Sequence, residues 1–95
     1  MKTFKDLTIG DDFYIFDWNR FEIHHHKIQD INIGDSGHII TFKYISNNRD
    51  LSFTIKNKDF NMSCWRTFDC TYYSDLESLN SHLRDHYFEL KKLIK

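Results

Sequence analysis

The first strongly patterned stretch of the chain is "DDFYIFDW", near the N-terminus. Its apolar side chains alternate between the two faces of an extended strand, with Phe13 and Ile15 on one face and Tyr14, Phe16 and Trp18 on the other. A strand that is apolar on both faces is covered on both sides. The pattern therefore predicts a central strand over residues 12–18, with the sheet's core on one side and another element on the other.

Further strands are predicted at about residues 20–31, 37–45, 51–55 and 64–73. The segment 20–31 alternates up to His25 and then changes phase at Ile28, which indicates a bulge or a sharp bend. Short turn sequences ("DWNR", "GDSG" and "SNNRD") separate the strands and favour antiparallel neighbours. The pattern predicts a strongly bent, mostly antiparallel sheet of five strands, curled into a small half-open barrel.

The C-terminal segment predicts an amphipathic helix over about residues 75–94. Ser74 and Glu77 have the spacing of a capping box at its start. Apolar residues then recur at intervals of three and four, at Leu76, Leu79, Leu83, Tyr87, Leu90 and Ile94. We expect this stripe to pack on the sheet, which makes the fold class α+β and residues 1–95 one domain.

Composition and net charge argue against several classes of function. The chain has 95 residues, and 40% of them are hydrophobic and 17% aromatic, which is enough for one core. The formal net charge is −1, so neither the basic excess of a nucleic-acid-binding domain nor the acidity of a DNA mimic is present. No apolar run approaches a membrane helix, and the polar opening "MKTFKDLTIGDD" does not resemble a secretion signal. These features predict a cytoplasmic protein that binds neither membranes nor nucleic acid.

A metal site is suggested by the order Cys64, Cys70, His82, His86, which is that of a zinc finger. The two histidines share a helix face, as ligands would. Two thiolates on one zinc must lie within roughly 4 Å of each other, whereas one extended strand separates Cys64 from Cys70 by ~20 Å. The intervening "WRTFD" has no Gly, Asn or Pro, so a tight loop is not expected.

We therefore predict no metal and no cofactor, with both cysteines reduced and mostly buried. A small zinc-stabilised or nucleic-acid-binding domain that uses these four residues remains the alternative. In the triplet "HHH", only His24 and His26 share a strand face, together with Glu22. A solvent-facing strand surface is the simpler interpretation of that triplet.

No catalytic motif accompanies these residues. The sequence has no G-x-S-x-G elbow, no phosphate-binding Gly-rich loop and no H-E-x-x-H, so we do not expect an enzyme. The aromatic residues are the more useful indication of function, because exposed Trp, Tyr and Arg anchor protein interfaces. We predict a protein-binding surface that includes Trp18, Trp65, Arg66 and Phe88, unless the helix and loops cover them. An open sheet edge is a second way to bind a partner strand, and a homo-oligomer is also possible.

Both ends of the chain resemble a group of small, uncharacterised proteins from AT-rich bacteria and their phages. "FKDLTIGDDFYIFD" is similar to the turn and first strand of those proteins, and "YYSDLESLNSHL" to their last strand and capped helix. The resemblance rests on structural motifs and transfers no catalytic residue. It implies a small barrel and a phage or mobile-element source. With a binding surface, it suggests an inhibitor of a host protein, for example a defence nuclease, or a virion or assembly accessory, located in the host cytoplasm or in the virion.

Overall fold

The fold was analysed in a computed structural model, which describes the backbone of residues 2–93 and the side chains of residues 2–85. The strands and the helix are β1 (Asp12–Asp17), β2 (Glu22–Lys27), β3 (Asp30–Gly34), β4 (Ile39–Ser46), β5 (Arg49–Lys56), β6 (Cys64–Arg66), β7 (Cys70–Tyr73) and α1 (Leu76–Leu93). Short 3-10 segments span Phe4–Asp6, Asp35–Gly37 and Asn57–Asp59. The α+β class with mostly antiparallel strands is confirmed. No helix in the described part of the chain is long and apolar enough to cross a membrane.

The strands form two sheets. The first sheet has the order β2-β1-β7-β6 and the second the order β3-β4-β5, and every pairing is antiparallel. The predicted five-stranded half-open barrel is therefore wrong, because the described chain has seven strands in two sheets and no closed barrel. Two of the predicted strands are each divided: 20–31 becomes β2 and β3, and 64–73 becomes β6 and β7.

The division of 20–31 occurs at Ile28, where the chain passes from the first sheet to the second. The Ile28 amide donates to the Asp11 carbonyl at 2.8 Å, and the Gly10 amide donates to the Ile28 carbonyl at 2.8 Å. One residue later, the Gln29 amide donates to the Lys43 carbonyl of β4. Ile28 itself is 1% exposed. The predicted bend is thus a corner between two sheets, held by a side chain that is inserted into the core.

The main core lies between the two sheets. Its buried residues come from both sheets and from the N-terminal segment: Phe4, Leu7, Phe13, Ile15, Ile28, Phe42, Tyr44, Phe53 and Ile55. Phe53 is central, since its ring lies 4.5 Å from that of Tyr72 and 5.1 Å from that of Phe42. A core of aromatic rings gives this small domain a large buried apolar area for its length.

Helix α1 covers the opposite face of the first sheet. A second, smaller core joins Phe16, Tyr73 and Leu79, with Tyr14, Trp18 and Leu83 packed around it. Strand β1 is thus covered on both faces, as its alternation predicts, with Phe13 and Ile15 facing the second sheet. The fold has three layers, in the order helix, first sheet, second sheet.

The start of α1 differs from the prediction by one residue. Asp75, not Ser74, caps the helix, because Asp75 Oδ1 accepts a hydrogen bond from the Ser78 amide at 2.8 Å. The Ser74 hydroxyl instead donates to the carbonyl groups of Lys2 and Ser63, which ties the helix start to the N-terminal segment. In the predicted stripe, Leu79 is buried and Leu76 is 50% exposed. The side chains of Tyr87, Leu90 and Ile94 lie outside the described residues.

Candidate functional site

The β6–β7 connection is a tight turn at one end of the first sheet. The Thr67 amide donates to the Cys70 carbonyl at 2.7 Å, and the Thr67 hydroxyl accepts from the Cys70 amide at 3.2 Å. A Thr side chain can close a turn in this way, as Ser, Asn and Asp do. The expectation that "WRTFD" stays extended is therefore wrong, and Phe68 stands at the tip of a hairpin.

The β1–β2 turn lies beside this hairpin. Asp17 Oδ1 accepts from the amides of Asn19 and Arg20 at 2.9 and 3.2 Å, which folds the turn locally. The Trp18 amide donates to the Asp69 carbonyl at 2.9 Å, and the Asn19 side-chain amide donates to Asp69 Oδ1 at 3.1 Å. These bonds fix the two turns against each other, although about fifty residues of sequence separate them.

Four side chains on these two turns form what we call the end surface: Trp18, Phe21, Arg66 and Phe68. Phe68 is 95% exposed and Phe21 is 57% exposed. The Trp18 indole donates to the Thr71 hydroxyl at 2.7 Å, which orients the ring. The Arg66 guanidinium lies over that ring at 4.7 Å from its centroid, a cation–π arrangement. The end surface therefore combines exposed apolar rings with a positioned cation.

Phe21 is held in a strained backbone conformation, with φ of 53°. This left-handed region is normally occupied by Gly or Asn, and it costs a bulky residue about 1–2 kcal/mol. The ring keeps an edge-on contact with Phe16, at 6.1 Å between centroids, while more than half of the side chain stays exposed. Strain of this kind clusters at binding sites, so it marks Phe21 as a candidate functional residue.

Two arginines and two aspartates lie near the end surface. Within the described side chains, neither Arg20 nor Arg66 forms an ion pair with a carboxylate. The neighbouring Asp17 and Asp69 carboxylates are already hydrogen-bonded to turn amides. Arg66 thus contacts the Trp18 ring rather than a carboxylate.

The residues predicted to bind a partner are only partly brought together. Trp18 and Arg66 meet in the end surface. Trp65 lies on the other side of the first sheet, where it packs against the main core and its ring lies 5.4 Å from that of Tyr72. The Phe88 side chain lies outside the described residues.

Sequence analysis missed Phe21 and Phe68. Phe68 could have been found if "WRTFD" had been recognised as a turn, since an aromatic residue at a hairpin tip has no core to enter. Phe21 has no comparable signal, because its exposure follows from a positive φ that local sequence does not predict for phenylalanine.

The two cysteines face opposite sides of the first sheet. Cys64 is paired with Tyr73, on the helix side, whereas Cys70 packs with the main core between the sheets. The register also places them about 10 Å apart along the strands. The four-ligand set Cys64, Cys70, His82 and His86 is therefore not assembled, and the His86 side chain lies outside the described residues. Both cysteines are free thiols, and Cys64 is exposed, contrary to the expectation that both are mostly buried.

Cys64 and His82 do approach each other. They line an open depression of about 250 Å³ together with Ser63, Ser78, Ser81 and Asp85. His82 is oriented by a hydrogen bond between its Nδ1 atom and the hydroxyl of Tyr73, a fully buried residue. The depression is open to solvent.

A second cleft opens between the two sheets and is lined by His24, His26 and Cys70. It has a volume of about 180 Å³, and its other lining residues include Tyr44 and Tyr72. Burial, with Asp17 and Asp69 nearby, raises the pKa of the Cys70 thiol, which keeps it protonated at neutral pH. Among the described residues, no three His, Cys, Asp or Glu side chains are arranged to hold a metal ion.

Comparison with known proteins gives no match. No protein-family model matches the sequence, and neither a curated protein nor a solved structure is significantly similar to this chain.

Proposed function

We propose that this chain is a non-enzymatic protein-binding domain that contacts its partner through the end surface. The observation that carries the proposal is Phe68, an aromatic residue that is 95% exposed beside the stacked Trp18 and Arg66. Exposed aromatic rings with an adjacent Arg are the residues that dominate binding energy in protein interfaces. Phe68 belongs to neither core cluster, and with Phe21 it leaves two exposed rings on neighbouring turns.

The geometry of the end surface supports the same proposal. Hydrogen bonds between the two turns fix the backbone that carries the four side chains before binding, which reduces the backbone entropy lost on association. The strain at Phe21 is likewise present before binding. The guanidinium groups of Arg20 and Arg66, which form no ion pair among the described side chains, favour a partner segment that has carboxylates next to an apolar side chain.

We further propose two biological roles for this binding, which follow from the resemblance to small phage proteins. The domain either inhibits a host protein in the host cytoplasm or serves as a virion or assembly accessory. The two roles differ in the partner, which is a cellular protein in the first case and a virion component in the second.

Affinity capture with matched variants tests the proposal. The tagged protein is incubated with a lysate of host cells and with disrupted virions, and retained proteins are identified by mass spectrometry. The variants are Phe68→Ser combined with Arg66→Gln, and the control Ile9→Ser, which replaces another exposed residue, 63% exposed, before the opposite end of β1.

We expect the wild type and Ile9→Ser to retain the same specific partner and the double variant to lose it. Truncating an interface anchor costs at least about 2 kcal/mol, which is roughly a 30-fold loss of affinity. Recovery of no partner from either source, or equal recovery with the double variant, would contradict the proposal. Circular dichroism of all three proteins verifies that they are folded.

A further inference from the structure

Strand β3 forms one edge of the second sheet, and within the described chain its only strand neighbour is β4. The Ile31 amide donates to Asp30 Oδ1 at 2.9 Å rather than to β4. Residues two apart in a strand direct their amide and carbonyl groups to the same side. The backbone groups of Ile31 and Ile33 therefore point away from β4, toward the open edge, where another strand can pair with them.

The side chains on this edge are apolar on one face. Ile31 and Ile33 pair with Phe42 and Ile40, so they share the face that carries the main core. Ile31 is packed against that core, whereas Ile33 lies beyond it and is 71% exposed. The strand contains no Lys, Arg or Pro, the residues that usually protect an edge from pairing.

We infer that β3 pairs with β3 of a second copy of this chain, so that the two second sheets join into one antiparallel sheet. A two-fold axis at Asn32 places Ile31 of each copy opposite Ile33 of the other, with Asn32 opposite Asn32. The backbone groups that form the new ladder are then those of Ile31 and Ile33, and the Ile31 amide exchanges its bond to Asp30 Oδ1 for one to the Ile33 carbonyl of the other copy. The open edge of each copy is thus occupied by β3 of the other copy, which runs antiparallel to it.

In this register no like charges face each other and every residue of the strand is paired. Asp30, the only charged residue of β3, lies opposite Gly34 of the other copy, and it faces Lys43 within its own sheet. The two Asn32 side chains are neutral, so no like charges meet. Moving the axis to Ile31 or Ile33 shortens the ladder, whereas the axis at Asn32 pairs all residues of Asp30–Gly34.

The interface is small. A standard stable interface buries roughly 800 Å² on each partner, which is more than one short ladder and its flanking isoleucines provide. The dimer therefore belongs to the weak class, and we expect a dissociation constant between about 10 µM and 1 mM. It forms at high local concentration, and it is independent of the end surface at the first sheet.

Sedimentation measurements between about 10 µM and 1 mM test the inference. The variant Ile33→Lys places a charge on the edge, and the control Ile45→Lys makes the same change at another exposed residue, on β4, which is 51% exposed. We expect the wild type and Ile45→Lys to dimerise with similar affinity and Ile33→Lys to bind at least ten-fold more weakly. A wild type that stays monomeric at 1 mM, or an unchanged Ile33→Lys, would overturn the inference.

A crosslinking experiment tests the register itself. The two-fold axis sets the Cβ atoms of the Asn32 residues about 4.5–5.5 Å apart, close to the range that a disulfide spans. In a Cys64→Ser background, Asn32→Cys is compared with Asn61→Cys, which is exposed in the segment before β6. With oxidised glutathione (the disulfide) as the oxidant, which is reduced to two glutathione thiols as each crosslink forms, we expect the Asn32→Cys dimer to form at least ten-fold faster. Equal rates would refute this pairing whether or not Ile33→Lys folds.

Discussion

Replacing Leu79 by Ala tests whether helix α1 contributes to the stability of the whole domain. Leu79 is 2% exposed and packs with the buried Phe16 and Tyr73 in the core between the helix and the first sheet. Truncation of a buried leucine costs about 2–5 kcal/mol, through lost burial and the cavity left behind. For a domain of this size, whose total stability is about 5–15 kcal/mol, this is a large fraction.

The matched control is Leu76→Ala, one turn earlier in the same helix. Leu76 is 50% exposed, so the same Leu→Ala substitution removes little buried area there and should lower the free energy of unfolding by less than about 1 kcal/mol. In urea, we expect Leu79→Ala to lower the midpoint without changing the slope. A loss of about 3 kcal/mol would lower the melting temperature by roughly 12–24 °C. If Leu79→Ala is no less stable than Leu76→Ala, the three-layer packing is wrong.

Three further predictions concern single positions. Asp75→Ala should lower stability by at least about 1 kcal/mol in urea unfolding, because it removes the acceptors of both the Ser78 and the Lys2 amides, and Asp75→Asn should restore the capping bond to Ser78 only. Phe21→Gly should leave the melting temperature unchanged or higher, since glycine relieves the positive φ, while partner capture is lost. Burial and the neighbouring histidines hold the pKa of His26 below its usual value, so stability is full above about pH 6.5 and falls as the pH falls. Melting temperatures between pH 7.5 and 5 should decline less in His26→Gln; an equal decline would contradict this assignment.

The parts of the fold that were predicted correctly depend on periodicity. The alternation through Phe13 and Phe16 gave the central strand and both of its covered faces, because a side chain's face is set by its position in the strand. The phase change at Ile28 likewise located the corner between the sheets. Periodicity does not show which strands pair with each other. One bent sheet and two facing sheets therefore have the same pattern of hydrophobic positions.

The wrong predictions depend on hydrogen bonds that local sequence does not determine. Thr67 closes a turn for which no Gly, Asn or Pro is present, and this divided the last predicted strand. Ser74 has the spacing of a cap, but contacts with Lys2 and Ser63 engage its hydroxyl and leave capping to Asp75. In both cases a tertiary or side-chain contact overrides a local preference.

These same departures from local rules produce the candidate site. In a sequence that folds well, local conformational preference, turn residues and hydrophobic pattern all favour the same fold. Positions where a residue conflicts with its conformation or exposure are expected at functional or strained sites. Phe21 occupies a conformation suited to glycine, and Phe68 occupies a turn tip suited to a polar residue. Neither choice improves folding, and the Asn19–Asp69 bond places both on one surface. These two costs lie on neighbouring turns, and it is for this reason that we propose the end surface, rather than another part of the molecule, as the binding site.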